Sequence, residues 1–146
     1  MPNMQVSLIP KDHVPDVWED IKPYIAKAAK YTYGRYTVDD ILDNIIQYDR
    51  NLWMAFDDGG VKGVIVTYFK TYPQKLYLDL EFCAGDEGLT WKAPMLKVLQ
   101  HWAYDNKCDG IESSGRLGWE KILKADGYKP LWQTYELPVA DTGLGV

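Results

Sequence analysis

Two acids stand two residues apart in a stretch that alternates strictly, Lys75-Leu-Tyr-Leu-Asp-Leu-Glu-Phe82. A period of two is the mark of a strand. It puts Asp79 and Glu81 on one side with Lys75 and Tyr77, and Leu76, Leu78, Leu80 and Phe82 on the other. A carboxylate so placed can take a proton from an amine, directly or through water. Acids on the wetter side of a strand equally suit plain solvation. Next comes Ala84-Gly-Asp-Glu-Gly-Leu-Thr90, a glycine turn leading into a helix. Gly85 and Gly88 free the backbone there, and such a turn can hold a phosphate with main-chain N–H groups. Asp86 and Glu87 oppose that use unless Lys92 or a cation offsets their charge. A tight turn capped by acids is the competing reading. Farther on, Gly115-Arg-Leu-Gly-Trp119 places Arg116 beside a second glycine turn. Arg116 could clamp a phosphate or carboxylate bidentately, stack on Trp119, or pair with Glu112 or Glu120.

Other chemistry is thinly represented. His13 and His101 are isolated, and no pair has metal-ligand spacing, so no metal is expected. Cys83 and Cys108 show no CxxC spacing and read as free thiols in a reducing compartment. The net charge of −5 argues against nonspecific nucleic-acid binding. The N-terminus lacks a signal-peptide pattern, and no apolar run has the length of a membrane span, so a soluble, intracellular protein is expected. Six Trp and eleven Tyr suit either an aromatic core or a contact surface.

The elements that must position these residues read as one domain, residues 1–139, with a short tail at 140–146. A strand at 5–9 ends at Pro10. Asp12 is placed to cap a helix at 14–30, which Pro23 should kink or split. An aromatic connector, Tyr31-Thr-Tyr-Gly-Arg-Tyr36, leads to Thr37-Val-Asp-Asp40, a capping box for a helix at 38–48. Strands at 52–56 and 61–72 flank the hairpin turn Asp57-Asp-Gly-Gly60. The strand at 75–82 and the glycine turn follow. A helix at 91–106 returns to a short strand at 110–113, then a short helix closes at Gly127-Tyr128, and a last strand is expected at 131–137. A strand, a helix and a parallel strand form a crossover unit, and ligands sit at the carboxyl ends of its strands.

This order of elements resembles the GNAT N-acetyltransferase superfamily, and within it small GNAT-like proteins of tailed bacteriophages. The resemblance is carried by Trp18, Leu52-Trp53, Thr67 to Tyr72-Pro73, Ala84-Gly-Asp86, Trp102-Ala103, Lys107-Cys108, Gly115-Arg-Leu-Gly-Trp119 and Gly127-Tyr128. It implies an α/β, GNAT-like, single-domain fold with a mixed, mostly antiparallel sheet flanked by helices. It implies a V-shaped gap between the fourth and fifth strands, between Phe82 and Ile111. By the same resemblance, acetyl-CoA would be held by Phe82, Cys83, Gly85, Gly88, Leu89, Thr90, Lys92 and Arg116, with Glu81 or Asp79 as general base. Many family enzymes use a Tyr to protonate the leaving thiolate. Here Leu123 holds that position and Arg116 holds that of its Asn partner, so Tyr128 or Ser114 would have to substitute. Glu87 holds the position of the usual Arg or Gln in the pyrophosphate turn. These departures make the expected protein a phage GNAT-like module with a degenerate acyl-CoA site. It would be non-catalytic and serve virion assembly or binding, with phage structural proteins or a second copy as partner, in the host cytoplasm and the virion. The alternative is an acetyl-CoA-dependent N-acetyltransferase acting on an amine of a small molecule or protein. A third reading is an acidic inhibitor that mimics nucleic acid.

Overall fold

The computed structural model describes residues 3–88, 90–114 and 119–139. They fall into two compact units, Met1–Ser114 and Gly115–Val146. In the first, β1 (Gln5–Ile9) stops at Pro10, which has no N–H to give a ladder. Asp12 does not cap the next helix. It lies in a 3-10 turn, Lys11–His13, and α1 (Val14–Lys30) is entered through His13. Val14, Trp18, Ile21, Ile25 and Ala28 recur every three or four residues and form its buried stripe. Pro23 does not split α1, which runs through it unbroken. Pro23 and Glu19, whose carbonyl loses its helical donor, are both on the exposed side, where water can replace the missing bond. The connector to α2 (Val38–Gln47) turns through Tyr33 and Gly34, at φ 55° and 79°. The capping box forms as expected: the Asp40 N–H donates to Thr37 Oγ1 at 3.2 Å, and the Thr37 N–H donates to the Asp40 carboxylate at 2.8 Å. These hydrogen bonds hold the Asp40 carboxyl below its ordinary range.

The sheet has the order β1-β2-β3-β4-β5, with β2 at Asn51–Asp57, β3 at Gly60–Thr71, β4 at Leu76–Gly85 and β5 at Gly110–Ser113. Its first three pairings are antiparallel and β4–β5 is parallel. The parallel step is bridged by α3 (Lys92–Asp105). One side of the sheet packs Leu52, Val64, Val66, Phe82 and Ala84 under Ile21, Ile25, Ile41 and Ile45 of α1 and α2. The other side carries Trp53, whose ring meets Trp102 of α3 at 5.4 Å, and the buried Ile65, Leu78 and Leu80.

The strict alternation expected for 75–82 breaks within β4. Val66 pairs with Phe82 but Thr67 pairs with Leu80, so Glu81 is an extra residue. Such a bulge rotates everything beyond it. Thr67 faces α3, since its Oγ1 accepts the Trp53 indole N–H at 3.0 Å, and Leu80 opposite faces the same way. Phe82 therefore leaves the side of Leu78 and Leu80. It packs edge-on against Tyr36, 5.1 Å away, in the α1/α2 core.

In the second unit, α4 (Glu120–Ala125) ends at Gly127, whose φ of 89° suits glycine. The strand expected at 131–137 does not form: residues 128–139 carry no ladder among the described residues. Leu131, Trp132, Tyr135 and Leu137 are exposed. Alternation supplies a propensity, and a strand also needs a neighbour to hydrogen-bond. The tail at 140–146, Leu89 and Arg116 lie outside the described residues.

Candidate functional site

The site begins where the sheet parts. β4 pairs with β5 from Tyr77↔Gly110 to Leu80↔Ser113, and there the ladder ends. β4 continues to Gly85, paired with β3 alone among the described residues. The gap expected between Phe82 and Ile111 thus opens later on β5, beyond Leu80 and Ser113, because Ile111 is still paired with Leu78.

At this parting a set of ionisable side chains shares one side of the sheet. Asp79 is only 6% exposed and lies between Tyr68 of β3 and Glu112 of β5 in the ladders. Among the described residues no hydrogen bond or ion pair reaches its carboxyl. Burial pushes it up to about 6, against a pull downward from Lys70 and with support from the negative charges of Glu112 and Glu81. A carboxylate with that affinity is ionised at neutral pH and still takes a proton readily.

Glu81 is differently placed. Arg50, just before β2, grips both its oxygens, Nε to Oε1 at 3.0 Å and Nη2 to Oε2 at 3.1 Å. The guanidinium also lies 3.9 Å from the centre of the Tyr68 ring. Its two oxygens are committed to the fork, which leaves Asp79 as the carboxyl free to exchange a proton. Glu112 accepts the Tyr72 hydroxyl on Oε1 and has Lys70 Nζ 4.0 Å away. Arg50, Tyr68 and Lys70 were not singled out from the sequence, where Glu112 was read as a partner for Arg116 and Tyr72 only as part of the passage before Pro73. The period of two in β3 was the signal that could have found Tyr68, Lys70 and Tyr72 together.

The turn after β4 is pinned from below. Trp91, fully buried, lies flat over Gly63 and Gly85, where an added Cβ would sit 2.3 and 2.2 Å from the indole. Gly85 is thus required for close approach. The indole N–H donates to the Asp86 carbonyl at 3.1 Å. Tyr24 Oη lies 2.8 Å from both Asp86 Oδ1 and the Val61 carbonyl, and burial and Asp86 push the Tyr24 hydroxyl up to about 12. Lys27 Nζ donates to the Gly85 carbonyl at 3.2 Å. The Asp86 carboxylate is thereby engaged by α1.

Of the other residues expected to hold acetyl-CoA, Gly88, Thr90 and Lys92 lie between the end of β4 and the start of α3. Gly88 faces open space, with nothing within 4 Å of an added Cβ, so a phosphate can approach the main chain. Thr90 is exposed, Lys92 opens α3, and the first turn of that helix holds no acid. Cys83 is half-buried, paired with Ile65, while its neighbour Phe82 is in the α1/α2 core. Tyr128 belongs to the second unit, where its N–H donates to the Leu123 carbonyl at 3.0 Å. A polar hollow of about 420 Å³ lies along α2, lined by Arg35, Tyr36, Asp40, Asp43, Asn44, Gln47 and Tyr48. Among the described residues no group of His, Cys, Asp and Glu is arranged to hold a metal, and no helix is long and apolar enough to cross a membrane.

No protein-family model and no curated protein sequence matches the chain. Solved structures do match. The chain is similar to the aminoglycoside N-acetyltransferase AAC(6')-Iy in complex with CoA, with a TM-score of 0.68 and 15% identity over 95% of this chain and 96% of that one. It is similar to a ribosomal-protein-alanine N-acetyltransferase from Brucella melitensis, at TM-score 0.69 and 14% identity over 94% and 100%. An aminoglycoside acetyltransferase from an uncultured soil metagenomic sample matches at TM-score 0.70 and 12% identity over 94% and 99%. At these identities the likeness is one of architecture, and it answers the expectation from the order of elements: the chain has the fold of the GNAT acetyltransferases.

Proposed function

We propose that this protein is an acetyl-CoA-dependent N-acetyltransferase that transfers an acetyl group to an amine of a small molecule or protein. The observation that carries the proposal is Asp79, a buried carboxyl raised to about 6 and left without a partner among the described residues, next to where β4 and β5 separate. An amine is protonated at neutral pH and attacks only after losing a proton, which is the work such a group does. Acetyl-CoA, when bound, supplies an activated acyl carbon. The main chain around Gly88 and the start of α3, with Lys92, would hold its pyrophosphate. Its amide-bearing arm would run along β4 past the end of the β5 ladder. Tyr24 and Lys27 fix the turn so that the Asp86 carboxylate points to α1. Two of the matched structures are an aminoglycoside N-acetyltransferase and a ribosomal-protein-alanine N-acetyltransferase, so aliphatic amines of both classes are the acceptors to try.

Titration calorimetry with acetyl-CoA is the test. Wild type binds in the micromolar range, and Gly88→Glu, which adds a charge at the turn, weakens binding about tenfold or more. Asp79→Asn binds normally and loses about 100-fold or more in turnover on a panel of amines. No binding at millimolar acetyl-CoA would refute the proposal. The second reading, a non-catalytic module in a phage particle or its assembly, draws on the exposed Leu131, Trp132, Tyr135 and Leu137. It predicts self-association or particle binding with no acetyl-CoA affinity.

A further inference from the structure

Three carboxyls meet on one side of the sheet, and the proposed reaction uses one of them. Asp79 and Glu112 are paired in the parallel β4–β5 ladder. Adjacent strands lie about 4.8 Å apart, so side chains in register on one side are neighbours. A charge at that range acts on how readily its neighbour takes a proton. Their surroundings differ sharply. Glu112 holds the Tyr72 hydroxyl and has Lys70 Nζ 4.0 Å away, whereas among the described residues Asp79 has neither a donor nor an ion pair. Lys70 is itself positioned over the Tyr72 ring, 5.5 Å from its centre, and Tyr72 meets Tyr77 edge-on at 5.7 Å. The other groups facing the pair are Tyr68 from β3, Glu81 from β4, and Arg50, which is committed to Glu81.

We infer that Glu112 is a positioning residue for Asp79: its carboxylate, seated by Tyr72 and Lys70 next to Asp79 across β4 and β5, sets how tightly Asp79 holds a proton. A negative charge beside a buried carboxyl favours the protonated form of that carboxyl, and the nearby cation of Lys70 opposes it. In the reaction an N–H bond of the acceptor ammonium breaks and an O–H bond forms on Asp79. The nitrogen keeps its electron pair for attack. Asp79 then gives the proton up to water, which restores it for the next turnover.

This inference rests on Asp79 as base, but the carboxyl pair can be measured without turnover. Carbon-13 NMR of the Asp and Glu carboxyls, followed from about pH 3 to 9, gives a midpoint near 6 that Asp79→Asn abolishes. In Glu112→Gln that midpoint falls by about one pH unit, because a neighbouring negative charge is gone, and Glu112→Asp restores it. In Lys70→Met it rises. Opposite signs from two neighbouring substitutions cannot come from a general loosening of the fold. If Glu112→Gln fails to fold, Lys70→Met at a part-exposed position carries the test. A midpoint unmoved by either substitution, or moved the same way by both, overturns the inference. The acid limb of kcat/KM follows the same shifts if the enzyme reading holds. Shifted midpoints with no acetylation would leave the carboxyl pair standing and remove the enzyme.

Discussion

The two ends of β4 are built by opposite rules. At Gly85 the strand is packed to the limit: Trp91 lies on two glycines, and neither tolerates even a methyl group. Around Asp79, a few residues earlier on the same strand, a buried carboxyl is left without a hydrogen-bonding partner among the described residues. The first end gives the turn and the start of α3 a fixed height above the sheet. The second carries a standing cost of buried charge, which no packing argument requires. Rigidity at one end and unrelieved polarity at the other is the pattern expected where a scaffold holds a reactive group.

The contrast can be broken from the packed end with the largest effect. Trp91→Ala should cost about 3–5 kcal/mol in urea denaturation, the usual range for emptying a buried Trp site. Gly85→Ala should cost about 1–3 kcal/mol by overpacking. The double variant should cost less than the sum, because the clash and the ring vanish together. Full additivity would mean that Trp91 and Gly85 do not press on each other.

The polar end should respond with the opposite sign. The Asp79 carboxyl binds its proton more tightly in the fold than in the unfolded chain, so its contribution is present at low pH and lost as pH rises from about 4 to 6. Asp79→Asn removes that loss. The variant should be more stable than wild type by up to about 3 kcal/mol above pH 7, and the two should converge below pH 4. Thermal denaturation at several pH values checks this. A destabilised Asp79→Asn at pH 8 would mean that the ionised carboxyl is well satisfied. The smallest effect belongs to a region outside the contrast. Thr37→Ala should cost about 1 kcal/mol through loss of the α2 cap, independent of pH above 5, as a guanidinium titration would show.

Much of this was legible in the residues. The Thr37–Asp40 box, the Asp57–Gly60 hairpin, the α3 crossover and the acids on β4 all depend on local chemistry, and local patterns report it. What the pattern hid depends on partners distant in the chain. The bulge at Glu81 is a property of the pairing between β3 and β4, and nothing in Leu-Asp-Leu-Glu-Phe announces it. The assignment of Glu81 to Arg50 spans the gap from before β2 to β4. The absence of a strand at 131–137 is of the same kind, since alternation was present and a ladder was not. Glu112 was read as a partner for Arg116, and its neighbours Tyr72, Lys70 and Asp79 come from two other strands.

The bulge has a consequence for how this gene can change. With Glu81 present, the chain before it and the chain after it present their side chains out of phase. Loss of that one codon would restore an unbroken pleat and turn nothing over, because Leu80 and Phe82 already face opposite sides and would become direct neighbours. Loss of Leu80 instead would seat Glu81 opposite Thr67, towards Trp53 and α3, and bring a carboxylate into an oily layer. A codon-deletion scan through residues 76–85 should therefore find position 81 more tolerant of loss than position 80, with the Arg50 ion pair as what is given up.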